Sequence, residues 1–140
     1  MIVAGIDFGR YRIGIAITGD HGVVLPVTTI QSRSRASSLA AIKARLAELE
    51  VRHIVVGQPL NADGTAGPAA HAAEKFAAEL RLIIDVPVEL HDERLSSFEA
   101  RERLRGGAAR RKGDPRIDAV AACVILESWL NGRAQNNQGR

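Results

Sequence analysis

The stretch IVAGIDFGRYRIGIAI, Ile2 to Ile17, decides how the rest of the chain is read. Ile2–Phe8 and Ile13–Thr18 have the Ile, Val, Ala and Gly content of buried strands, and little more than Gly9-Arg10-Tyr11 separates them. So short a connection implies an antiparallel hairpin. Asp7 falls inside the first run, on the strand face of Val3 and Gly5 by the period of two, with Gly14 opposite if the hairpin is tight. A desolvated carboxylate needs a partner or a metal ion. Arg12 and Arg94 are the ion-pair candidates the sequence offers, and the two glycines leave room beside the carboxylate.

Working outward, Asp20-His21-Gly22 turns the chain into a third strand, Val23–Ile30, which extends the meander. A polar segment then leads to Ser37-Ser38 as candidate N-caps and to Leu39, Ile42, Leu46 and Leu49, an apolar stripe at helical spacing. His53–Gly57 is a fourth strand, Ala69–Leu82 a second helix and Pro87–Glu93 a fifth strand. Ser96 and Glu99 form a capping-box signature for a third helix, and Asp114-Pro115 starts a last helix that ends near Asn131. A meander followed by βαβ units predicts an α/β fold: a five-stranded mixed sheet with helices on both faces and β1 central. Residues 1–131 are read as one domain and 132–140 as a polar, frayed tail.

Composition removes several classes of function. With mean hydropathy of −0.04, the sequence has no apolar stretch long enough to span a bilayer. Met1 runs straight into strand-like sequence without a secretory signal, and the single cysteine, Cys123, sits in an apolar run, so the expected address is the cytoplasm. The four histidines are scattered without a zinc motif, and no GxSxG marks a serine hydrolase. A net charge of +3 and a pI near 9.6 permit a nucleic-acid partner.

Three acidic positions can meet at the carboxyl edge of such a sheet, where ligands of open α/β sheets gather. Asp7 is one. Glu93 ends the fifth strand, while Asp92 points to the opposite face. Asp118 begins a stripe with Ala121, Ala122, Ile125 and Trp129 that turns it toward the sheet. Each acid has a plainer role open to it: Asp118 complements a helix dipole, and Asp92 and Glu93 are solvated loop charges. Carboxylates converging from three segments match an oxygen-rich site for Mg²⁺ or Mn²⁺.

Asp7-Phe8-Gly9 with Arg12-Ile13-Gly14, Gly57-Gln58-Pro59-Leu60-Asn61 with Asp63-Gly64-Thr65, Asp92-Glu93-Arg94-Leu95-Ser96, and Asp118 with Ala121-Ala122 resemble the YqgF (RuvX) family over nearly the whole chain. That resemblance implies an RNase H-like fold related to RuvC Holliday-junction resolvases, and a nuclease that processes the precursor of 16S ribosomal RNA. It also implies Asp7, Glu93 and Asp118 as catalytic acids. Arg10 departs from the small or hydroxyl residue commoner after Asp-Phe-Gly. Phosphodiester hydrolysis through two divalent ions about 4 Å apart fits three carboxylates, with Asp7 bridging and Glu93 and Asp118 each completing one sphere.

For substrate contacts, Arg12 and Arg94 flank the acids, and Asn61 and Thr65 lie in a loop rich in turn formers. Arg110, Arg111 and Lys112 belong to the basic run RERLRGGAARRKGDPR, which suits a phosphate-binding arm. RNA is the favoured partner. A Holliday-junction or other structure-selective DNA resolvase, and a non-catalytic RNA-binding module of the same fold, are the competing readings. Monomer and homodimer both remain open.

Overall fold

The computed structural model describes residues 1–95 and 115–138, with side chains over 1–94 and 119–133. Three strands come first, β1 (Ile2–Phe8), β2 (Arg12–Thr18) and β3 (Val24–Gln31). They are followed by α1 (Arg35–Glu48), β4 (Val51–Gln58), α2 (Pro68–Ile83), β5 (Val88–Asp92) and α3 (Pro115–Gln138). All five strands join one sheet in the order β3-β2-β1-β4-β5. β1 pairs antiparallel with β2 and parallel with β4, and β4 pairs parallel with β5, so the expected mixed sheet with β1 at its centre is present.

Strand periodicity sorts the side chains into two cores. Ala4, Ile6, Ile13, Ile15, Ile54 and Val56 face α1 and α2, where they meet Ile42, Leu46, Phe76 and Leu80. Each fully buried Ile or Leu there is worth about 1.5–3 kcal/mol. Val3, Ala16 and Val55 face the other way and meet Ala122, Ile125, Leu126 and Trp129 of α3. Gly5 makes that second packing possible. A Cβ there would stand 2.9 Å from the Ala122 carbonyl oxygen and 2.9 Å from Leu126 Cβ, so α3 lies directly on the β1 backbone.

Three expected boundaries move. α1 is capped by Ser34 instead of Ser37 or Ser38: Ser34 Oγ accepts from the Ser37 N–H at 3.1 Å, and Ser37 Oγ accepts from the Ser34 N–H at 3.3 Å. Ser38 is 1% exposed and its hydroxyl bonds Ser32 Oγ at 3.4 Å, so it belongs to the core side of the helix. β5 stops at Asp92, and Glu93 opens a 3₁₀ turn, Glu93–Leu95. α3 continues past Asn131 to Gln138 and takes in most of the polar segment read as a tail. The expected helix after Ser96 and the Asp114 cap lie outside the described residues.

Candidate active site

Asp7 pairs with Gly14 across β1 and β2, and Gly14 pairs with Thr29 of β3, so two small neighbours and one acid form a row across the sheet. Parity puts Asp7 on the α3 side with Val3 and Gly5. Ala122 and Leu126 lie over Gly5, and Trp129 clusters with Val3, so α3 runs antiparallel to β1. Residue 118 is one turn before Ala122, about 6 Å along the helix. Asp7 is two residues past Gly5, about 6.6 Å along the strand. The backbone of residue 118 therefore comes alongside Asp7, while the Asp118 side chain lies outside those described.

β5 and the turn that follows it supply the second acid, Glu93. Glu89 and His91 both turn toward α3: Trp129 Nε1 donates to Glu89 Oε1 at 2.8 Å, and His91 Nε2 pairs with Ser128 Oγ at 2.8 Å. Burial pulls the His91 pKa below its usual value, which favours the neutral ring there. Glu93 keeps the same face. Its Oε1 overhangs Gly57 so closely that a Cβ on Gly57 would collide with it, and would also come within 2.5 Å of Ile125 Cδ1. Gly57 thus forms the floor of a cradle whose wall carries a carboxylate.

Asp92 faces away, as its parity requires, on the side where Val88 and Leu90 join the α1–α2 core. Its carboxylate holds Arg94 through Nη2 at 2.7 Å, Nε at 3.0 Å and the Arg94 backbone N–H at 2.9 Å. This grip lowers the Asp92 pKa and raises that of Arg94. Arg94, a candidate partner for Asp7 on sequence grounds, is paired with Asp92. Its Nη1 also reaches the Ala62 carbonyl at 3.3 Å, tying the turn that carries Glu93 to the β4–α2 loop.

That loop is internally bonded. Asn61 Nδ2 donates to Thr65 Oγ1 at 3.0 Å, and the Thr65 hydroxyl and N–H donate to Asp63 Oδ1 at 2.6 and 3.0 Å, which lowers the Asp63 pKa. Asn61 and Thr65 are both exposed, so their first role is to shape the loop they sit in. Arg12, exposed at the start of β2, shares the face of Gly14. Arg110, Arg111 and Lys112 lie outside the described residues. The sequence reading missed Gly57 as a floor and Glu89 and His91 as companions of Glu93. The i, i+2, i+4 spacing of Glu89, His91 and Glu93 in the sequence is the signal that could have found them.

Among the described residues no three His, Cys, Asp or Glu side chains group to hold a metal ion. The third acid of the expected set, Asp118, has its side chain outside them. The part that is described offers a hard divalent cation oxygen donors on one sheet face, Asp7 and Glu93.

A mixed five-stranded sheet with this strand order, flanked by helices on both faces, is the RNase H-like fold. RuvC of Thermus thermophilus shares it with a TM-score of 0.58 at 16% identity, over 96% of this chain and 97% of that one. The fowlpox virus Holliday junction resolvase does so with a TM-score of 0.55 at 13% identity, over 96% and 99%. Sequence comparison is more specific. The RuvX family model, described as Holliday junction resolvase, matches residues 1–132. A relative from Anaeromyxobacter dehalogenans is 48% identical over 136 residues, 96% of this chain and 99% of its own length. One from Myxococcus xanthus is 41% identical over 133 residues, 94% and 88%. Both carry the name "Putative pre-16S rRNA nuclease". The chain belongs to the RuvX (YqgF) family.

Proposed function

We propose that this chain is a divalent-metal-dependent nuclease that hydrolyses phosphodiester bonds in the 5′-end processing of pre-16S ribosomal RNA in the cytoplasm. The observation that carries the reading is the Glu93 carboxylate above the bare backbone of Gly57, on the sheet face that Asp7 also occupies. The name given to the relatives supports the choice of substrate.

Asp7, Glu93 and Asp118 would hold Mg²⁺ or Mn²⁺. A bound divalent cation supplies charge neutralisation at the phosphate and an acidified water as nucleophile. The chain's own residues do the rest. Gly57 lets the Glu93 carboxylate sit down on the β4 backbone. Arg94, locked by Asp92 and by Ala62, fixes the turn that presents Glu93. Arg12, exposed at the start of β2 on the Asp7 face, would meet a phosphate oxygen. Arg110, Arg111 and Lys112 would grip the backbone farther from the scissile bond.

The test compares cleavage of a pre-16S rRNA fragment, single-stranded RNA, duplex DNA and a four-way DNA junction, each with Mg²⁺ or Mn²⁺, by the wild type and by Asp7→Asn. The expected result is cleavage of the rRNA precursor, lost in a normally folded Asp7→Asn protein. Cleavage of the junction alone moves the substrate to DNA. Undiminished cleavage by Asp7→Asn removes the mechanism.

A further inference from the structure

The β1–β2 turn and the β3–α1 connection meet at the same edge of the sheet as Asp7. Gly9 N–H donates to the Arg12 carbonyl at 2.9 Å and closes the turn, and Ser32 N–H donates to the Tyr11 carbonyl at 2.8 Å, so the two segments are joined. Arg10, Tyr11, Arg12 and Arg33 are all exposed on them. Tyr11 is 69% exposed, whereas Phe8 and Phe76 stack on each other at 4.6 Å and Trp129 is buried. The Arg10 guanidinium lies 5.3 Å from the centre of the Tyr11 ring. Arg35 is already engaged, over the Phe8 ring at 4.9 Å and beside Glu79 at 3.8 Å. Residues 8–19 and 21–47 contain no Asp or Glu, so both segments carry positive charge alone.

We infer that this joined pair of segments is a docking strip for an unpaired nucleic-acid strand, with Tyr11 stacking a base and Arg10 and Arg33 meeting its phosphates. The inference rests on the nuclease reading and names the form of nucleic acid the site receives. An exposed aromatic ring beside guanidinium groups is the combination that holds single strands. Bases inside a duplex are stacked on one another and cannot offer a face to Tyr11; an unpaired base can. The strip begins two residues beyond Asp7, so a strand lying on it arrives at the carboxylates. A protein partner would use the same ring without the dependence on salt that phosphate contacts bring.

The experiment measures binding of a labelled single-stranded RNA and of a hairpin duplex RNA to the full chain in EDTA, across a range of salt, by fluorescence anisotropy. Tyr11→Ala is expected to weaken single-strand binding by about tenfold and duplex binding by less than about twofold, and Tyr11→Phe to restore it. Arg10→Ala with Arg33→Ala should flatten the slope of log affinity against log salt by up to about 0.7 for each lost contact. Unchanged single-strand binding in Tyr11→Ala, an equal loss for duplex, or a wild type that binds no single strand overturns the inference. The two readings fail separately: without cleavage but with Tyr11-dependent binding the nuclease reading falls, and with cleavage but no Tyr11 dependence the strip falls.

Discussion

Glu89 and Glu93 sit on the same face of the same edge, two pleats apart, and meet opposite circumstances. Glu89 Oε1 takes the Trp129 N–H at 2.8 Å and His53 Nε2 at 2.6 Å, beneath a Trp129 ring that stacks on His53 and is covered by the Arg133 guanidinium at 4.7 Å. Glu93 lies over Gly57, its Oε1 and the Ile125 side chain both packed onto the glycine backbone. One carboxylate is surrounded by bulky partners and serves packing. The other is seated directly on the backbone of a glycine. Along β4 the two acids meet different residues: Glu89, in register with Val55, reaches the His53 ring, whereas Glu93 reaches over Gly57, which is itself in register with His91.

Exchanging the two roles is the strongest way to break this contrast. Glu93→Gln should cut metal-dependent cleavage by more than about 100-fold while leaving thermal stability nearly unchanged, because removing a ligand costs more than disturbing its supports. Glu89→Leu should do the reverse. It strands the Trp129 N–H and costs about 1–3 kcal/mol in denaturant unfolding, with cleavage kept within about threefold. Equal losses of activity in both variants would erase the distinction.

Gly57→Ala probes the floor directly. The added methyl meets the Glu93 carboxylate and Ile125 Cδ1, so the carboxylate must move or α3 must lift. The expected outcome is a stability loss of about 1–3 kcal/mol, together with at least a tenfold fall in turnover measured at saturating metal. A stable and fully active Gly57→Ala protein would show that the cradle is not used.

The hairpin around Asp7 was legible because strand composition, a short turn and glycine pairing all act locally, and the sheet order followed from it. Trp129 was legible as core from its helical spacing, and it is 7% exposed. The α1 cap was not. The first turn, Arg35, Ala36 and Ser37, carries no large apolar side chain, so periodicity begins at Leu39, while the Ser34–Ser37 capping box sets the start of the helix earlier. The end of α3 was hidden because the apolar stripe stops at Leu130, while the helix runs on through a polar segment to Gln138. Parity put Glu93 and Asp92 on opposite faces, and that is how they lie. What sets Glu93 apart from Glu89 is the β4 residue its side chain reaches, Gly57 in place of His53, and contacts between distant strands are not written in either segment alone.

The smallest effect reports on the Trp129 end without touching either glutamate. Cys123 is buried against the sheet on α3, and burial, with the nearby Glu127 charge second, pushes its thiol up to about 11. Against an ordinary thiol near 8.5, that leaves roughly 250-fold less thiolate at pH 8, so labelling by a disulfide reagent should be slow in the native protein and rapid in urea. The sign for stability follows. The native pKa exceeds the unfolded one, so this contribution is complete below about pH 8.5 and is lost as pH rises toward 11. Glu93→Gln should label as slowly as the wild type, because its effect is confined to the Gly57 end. Glu89→Leu should label several-fold faster, because it loosens the contact that seats Trp129 and, one and a half turns away, Cys123. If both variants label alike, α3 is held by the apolar core alone and the Glu89 network adds nothing to its seating.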